Sequence, residues 1–285
     1  MEKIIVPIDF SEESICGLQL ALIVANKFKA DVQLVHVMKK KGSFFLAETE
    51  VMLSKVEAQL QKLIDEHRMS LDSECKFDYI IKKGRVFEEV VAQAEAFNNS
   101  MVICSTHGMS GFSSYFVGSN TYKIVQSTKR PVISVTTCQY IREIKKIVFP
   151  IDITKETREK APLVAKIAKV FDAEVHIVKV TSSTNEGIHN KLKLYSNQIC
   201  KFFDEQEVKH QKSLLVGDNI TEITIDYGKT IDADLIAIMT EQTKSISNLL
   251  LGSYALQMLN NSPIPVLSIT PRDLYLVHGF TPHTI

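Results

Sequence analysis

The feature that most constrains this chain is that it is written twice. The segment KIIVPID at 3–9 returns as KIVFPID at 146–152, and ADVQLVHV at 30–37 returns as AEVHIVKV at 173–180, both at an offset of 143 residues. Further on, VGSNTYKIVQSTKRPVISV at 117–135 returns as LGSYALQMLNNSPIPVLSI at 251–269, where the offset has fallen to 134. The second copy has therefore lost about nine residues, and the segment KKKGSFFLAETEV of the first copy is where the loss is expected. A repeat this long is a whole domain and not a solenoid unit. The 285 residues divide into a domain at 1–140, a domain at 143–270 and a tail at 271–285, with the boundary near Cys138 to Arg142. Domains of this size can bury a core without staples.

Within each copy, short apolar runs alternate with helical periods. Ile4, Ile5, Val6 and Ile8 form a continuous run, as expected of a strand covered on both faces. Ser11 stands at an N-cap position, and Ile15, Leu18, Leu22 and Ala25 then fall on one helical face. A second strand is expected at Val32 to Val37, followed by a helix with Met52, Val56, Leu60, Leu63 and His67 on one side. Tyr79 to Ile81 and Met101 to Cys104 read as further strands, separated by a helix carrying Phe87, Val90, Ala94 and Phe97. A Gly/Ser loop, a helix through Val125 and a strand at Val132 to Val135 complete the copy. Alternation of this kind predicts α/β domains, each a Rossmann-like, doubly wound, five-stranded and mainly parallel sheet flanked by helices. Ligands of such sheets sit beyond the carboxyl ends of the strands. The segments to inspect are those holding Asp9, Val37 and the loop after Cys104.

Composition narrows the function. The 33 Lys plus Arg cancel the 33 Asp plus Glu, which argues against nucleic acid as a partner. No stretch approaches the roughly 18 apolar residues of a membrane span. The five cysteines, Cys16, Cys75, Cys104, Cys138 and Cys200, are scattered and include no C-x-x-C pair, which argues against a disulfide framework or a zinc ribbon and for a reduced, cytoplasmic setting.

The loop ICSTHGMSGFSSYFVGSNTYKIV at 103–125 carries the most chemistry. Gly108 and Gly111 lie within it, and Gly118-Ser119 stands where the next helix begins. A helix N-terminus offers unpaired N–H groups and the positive end of the macrodipole, and glycines let backbone approach an anion. The same residues also suit a plain connection, in which the glycines only turn the chain and Ser119 only caps a helix. Spacing alone leaves both readings open. Several chemistries are excluded by motif: there is no G-x-x-x-x-G-K-[ST], no G-x-G-x-x-G in the first turn, and GMSG is not a nucleophile elbow. His107 reads as a solvated loop residue, and His278 and His283 lack a third ligand for a metal. Cys104 is expected to be buried and unreactive.

Three segments, VPIDFSEES, LVHV and STHGMSGFSSYFVGS, resemble the universal stress protein family in its tandem form, and the resemblance spans residue 3 to about 270. The nucleotide-binding members carry G-x2-G-x9-G-[ST]. On this chain the second glycine of that pattern is Gly108 and the last two positions are Gly118 and Ser119, while the first falls on Ser105. The resemblance implies ATP or a related adenine nucleotide, with or without Mg²⁺. It places Asp9 toward the adenine and ribose beside Pro7 and Ile8, the Val37 backbone at the adenine, and Cys104 and Ser105 along the loop. Gly108, Met109, Gly118, Ser119, Asn120 and Thr121 fall near the phosphates. In the second copy the two loop glycine positions fall on Met239 and Gln242, long side chains expected to fill the phosphate space, so this copy is expected to be degenerate. The family also implies pairing of last strands, here Val132–Val135 with Val266–Ile269, and leaves a homodimer open. The resulting expectation is a nucleotide-responsive stress regulator without catalytic residues. The alternatives are an interaction protein of the same family with no bound nucleotide, and an enzyme on the same architecture.

Overall fold

The computed structural model describes residues 1–38, 46–106, 118–154, 156–240, 242–243 and 250–271. The first repeat runs β1 (Lys3–Pro7), α1 (Glu12–Phe28), β2 (Asp31–Met38), α2 (Leu46–His67), β3 (Phe77–Lys83), α3 (Val86–Glu95), β4 (Ser100–Ser105), α4 (Ser119–Ser127) and β5 (Val132–Val135). The second runs β6 (Lys146–Ile151), α5 (Ala161–Phe171), β7 (Glu174–Thr181), α6 (Glu186–Glu205), β8 (His210–Val216), α7 (Ile220–Thr230) and β9 (Leu235–Met239). A two-residue hairpin pair, β10 (Gln242–Thr243) and β11 (Leu250–Leu251), then leads to α8 (Ser253–Asn261) and β12 (Val266–Ile269).

The two repeats share one sheet of ten strands in the order β3-β2-β1-β4-β5-β12-β9-β6-β7-β8. In this sheet every pairing within a repeat is parallel, and the seam between repeats is antiparallel, with Leu267 opposite Ile133 and Ser268 opposite Val132. The pairing of last strands expected from the sequence is therefore present. Ile133 and Leu267 are fully buried there, and each contributes about 1.5–3 kcal/mol by leaving water. Alternation along the strands feeds two cores. Ile4, Val6, Ile103 and Ile133 share one core with apolar residues of α1, α2, α5 and α6, while Ile5, Val102, Cys104 and Val132 belong to the core of the opposite helical layer.

The residues lost from the second copy lie only in part where the sequence placed them. The segment between α2 and β3 spans 68–76, including a 3-10 turn at Arg68–Ser70, whereas its counterpart between α6 and β8 spans only 206–209. About half of the loss thus follows the helix. The connection before it is only moderately shorter, 182–185 against 39–45.

A second correction concerns the cysteines. Cys16 on α1 and Cys138 in the connector between repeats form a disulfide, with Cα atoms 5.1 Å apart. They lie 122 residues apart in sequence, and only the wrapping of α1 over the sheet toward the end of β5 brings them together. Cys75, Cys104 and Cys200 are free and buried. No helix of the described residues is long and apolar enough to cross a membrane.

Candidate functional site

In the first repeat the C-terminal ends of β1, β2 and β4 and the start of α4 enclose a hollow of about 120 Å³. Ten of the twelve residues singled out in the sequence line it: Pro7, Ile8, Asp9, Val37, Cys104, Ser105, Gly118, Ser119, Asn120 and Thr121. Gly108 and Met109 lie outside the described residues, as do His107, His278 and His283.

The floor is set by backbone bonds. Ile8 N–H donates to Val35 O at 3.0 Å, and His36 Nδ1 lies 2.8 Å from Ile8 O, so that ring nitrogen carries the proton and donates. Asp9 Oδ1 accepts from Ser11 N at 3.1 Å and from Ser11 Oγ at 2.5 Å, and Ser11 Oγ in turn caps α1 by accepting from Ser14 N. This carboxylate oxygen therefore holds the strand-to-helix turn, in which Phe10 takes a left-handed φ of 65° and stacks on His36. Gly118 is the N-cap of α4 and has no side chain with which to cap it, and Ser119 and Asn120, both exposed, stand at the positive end of the helix.

Two expectations change here. Thr121 is buried, and its hydroxyl donates to Ser105 O at 2.6 Å. It ties α4 to the end of β4 and is committed to that bond, where the sequence suggested a donor to phosphate. Gly118 N–H makes a parallel tie to Thr106 O at 2.6 Å. Ser105, in turn, is not among the residues with positive φ, so serine at the family's first glycine position carries no left-handed strain and departs from the pattern by its hydroxymethyl side chain. Cys104 is buried as expected, and burial pushes its thiol up to about 12. Sequence reasoning missed Ser14, Val35, His36, Val86, Thr106 and Ile124 in the lining. Ser14 could have been found, because it lies one helical turn after Ser11 on the same side.

The second repeat has a hollow at the equivalent place, and it is larger, about 490 Å³. Met239 lines this space and does not close it. The cause is a helix that starts late. By the repeat offset the first residue of α1 corresponds to position 155, but α5 begins only at Ala161. Pro162, at the position of Gln19, has no N–H to donate and its ring clashes with the carbonyl a turn earlier, so the helix cannot run back past it. The preceding residues form a loop with a 3-10 turn at Glu156–Arg158. Into the freed space comes Lys160, at the position of Gly17. Its Nζ donates to Pro150 O at 2.7 Å and Thr157 O at 2.8 Å, and it lies 4.5 Å from the Phe149 ring centroid. Burial pushes this amine down to about 7 against the pull of Asp152. The rest of the lining also diverges: Tyr254 stands for Asn120, Ala255 for Thr121 and Met239 for Ser105, while Glu156 and Glu159 add negative charge. Asp152 keeps the role seen for Asp9, accepting from Thr154 N at 2.8 Å and Thr154 Oγ1 at 2.6 Å.

The profile of the Universal stress protein family matches residues 1–136 and again 143–269. The chain belongs to that family. Among curated proteins, it is similar to a universal stress protein of Methanocaldococcus jannaschii, 31% identical over 139 residues, covering 44% of this chain and 81% of the relative. Among solved structures, a universal stress protein from Archaeoglobus fulgidus superposes with a TM-score of 0.75 at 18% identity, covering 94% of this chain and 98% of the other. One described as a putative universal stress protein from Pseudomonas aeruginosa gives 0.70 at 17% identity, covering 96% and 95%. At these identities the two structures show the shared tandem fold of the family.

Proposed function

We propose that the first repeat binds one adenine nucleotide, ATP or a close relative, and that the protein acts as a nucleotide-responsive regulator and not as an enzyme. The observation that carries this reading is that ten of the residues named by the family resemblance, from three strand ends and one helix start, line a single hollow. In this reading the base lies by Val37 and Asp9. The phosphates rest on the N–H groups of Ser119 and Asn120, which α4 leaves unpaired. Mg²⁺, if it accompanies the nucleotide, is held by the phosphates, since no group of three His, Cys, Asp or Glu suited to a metal occurs among the described residues. Hydrolysis is slow in this reading, because the groups of the described lining that could take a proton from water are engaged in the fold: Asp9 holds its turn, and His36 is tied through Nδ1 to Ile8 O and packs against Phe10.

A second reading has one observation in its favour. The first hollow encloses about 120 Å³, below the roughly 300–1,000 Å³ usual for ligand pockets, as suits an interaction protein with no bound nucleotide. Isothermal titration with ATP, with and without Mg²⁺, separates the two. The nucleotide reading expects saturable heat at one ATP per chain and a raised thermal midpoint. No heat at high micromolar ATP together with an unchanged midpoint would favour the interaction protein.

A further inference from the structure

The cysteine pair has no part in the nucleotide reading, and it sits at a mechanically useful place. Cys138 is exposed in the connector, whereas Cys16 is 4% exposed on α1. The Cα separation of 5.1 Å lies within the range that a disulfide spans without moving backbone. The other three cysteines are buried, and burial raises the thiols of Cys75, Cys104 and Cys200, so Cys138 is the sulfur an oxidant in solution meets first. In the second repeat the position of Cys16 is Glu159. The device belongs to the first repeat alone.

What the bond holds is the helix that backs the first cleft. Cys16 is followed by Gly17, where a Cβ would lie 3.4 Å from Ser105 N, and preceded two residues earlier by Ser14, which lines the hollow. The N-cap of the same helix is organised by Asp9. At its other end, Lys27 pairs with Glu143 of the connector, and Phe28 meets Phe171 of the second repeat edge-on at 6.5 Å. The disulfide thus adds a covalent tie from the connector to α1 at the level of Ser105.

We propose that Cys16 and Cys138 are a reversible oxidation site that latches α1 and thereby raises the affinity of the first cleft for nucleotide. Its chemistry stands apart from the proposed function; its effect on affinity rests on it. A peroxide oxidises the Cys138 thiol to a sulfenic acid with release of water, and the Cys16 thiol displaces the hydroxyl as a second water, forming the S–S bond. Two thiols lose two electrons and the peroxide gains them. A dithiol reverses the step by exchange. With α1 pinned, the Asp9 turn and the Ser105 strand end lose alternative positions, so less ordering is required on binding.

The test uses the full chain, divided into hydrogen-peroxide-treated and dithiothreitol-treated samples, with each reagent then removed. Alkylation after unfolding should label three thiols in the treated protein and five in the reduced one, with a peptide pair joined through Cys16 and Cys138. ATP should bind the oxidised form about 3- to 10-fold more tightly, a change of roughly 0.6–1.4 kcal/mol, and Cys138→Ser should abolish the difference. Five labelled thiols after peroxide would overturn the latch, as would equal ATP affinity of the two forms. If neither form binds ATP, the functional reading fails separately, and amide exchange along α1 decides: slower exchange when oxidised supports the latch, and identical exchange overturns it.

Discussion

The two repeats build unlike hollows at the same strand ends. The first has a helix start at Gly118 with Ser119 and Asn120 exposed, in about 120 Å³. The second has about 490 Å³ but replaces Ser105, Asn120 and Thr121 with Met239, Tyr254 and Ala255, and adds Glu156 and Glu159. The second keeps the Gly252-Ser253 helix start, so the hollows differ in their space and in the side chains around it, and not in the helix terminus itself. The difference traces to α1 and its counterpart. Gly17 in the first lets the helix lie against the end of β4, while Pro162 in the second delays the helix and leaves Lys160 to satisfy the carbonyls exposed by the unwound turn. Volume at a strand end is thus no guide to ligand here. It measures how much helix is missing.

The comparison depends first on the seam that makes one sheet of two repeats. Leu267→Asp places a carboxylate between fully buried neighbours opposite Ile133. It should cost more than about 4 kcal/mol, read as loss of a cooperative thermal transition, and a fall of less than 1 kcal/mol would show that the repeats are stable apart.

Next comes the buried amine of the second repeat. Lys160 has a folded value of about 7 against an ordinary 10.5, lowered chiefly by burial. Between those values the unfolded chain holds a proton that the folded chain does not. Stability should therefore rise with pH through that window and level off outside it, with a slope approaching about 1.4 kcal/mol per pH unit. In Lys160→Met this contribution should vanish from denaturant midpoints measured across the window. An unchanged slope would mean that Lys160 stays charged in the fold.

Making the first repeat resemble the second should also hurt. Gly17→Lys forces a long side chain against Ser105 and Cys104, and should cost about 1–3 kcal/mol by overpacking and weaken ATP binding. Gly17→Ala serves as its control: its Cβ meets Ser105 N at 3.4 Å, and helix propensity offsets that contact to within about 1 kcal/mol. If Lys is tolerated as well as Ala, the close approach of α1 does not shape the cleft. The smallest effect is that of Ser105→Gly. Ser105 carries no left-handed strain, so the change removes its hydroxymethyl group and adds room without relieving the backbone, and ATP affinity should rise by about 2- to 5-fold, under roughly 1 kcal/mol. No change in affinity would show that this group does not face the nucleotide.

Much of this was legible in the sequence. The repeat, the strands whose ends form the cleft and the seam at Val132–Val135 and Val266–Ile269 follow from periodicity and from the family resemblance. Ser11 was recognisable as a cap from its place before an apolar helical period. What was not legible depends on tertiary proximity. The Cys16–Cys138 pair spans 122 residues, and the bond from Thr121 to Ser105 O needs the actual approach of α4 to β4. The unequal cavities are an intermediate case. Pro162 in place of Gln19 was visible as a helix breaker, but that the unwound turn opens a hollow and admits Lys160 requires the packed structure.

The central claim is that chemistry, not space, decides which repeat takes the nucleotide. Native mass spectrometry of the gently purified chain, alone and with added ATP, counts it directly, and Asn120→Tyr gives the exposed helix start of the first cleft the residue of the second. The account predicts one adenine nucleotide per chain, lost in Asn120→Tyr. Two nucleotides per chain, none at saturating ATP, or one that persists in the variant would contradict it.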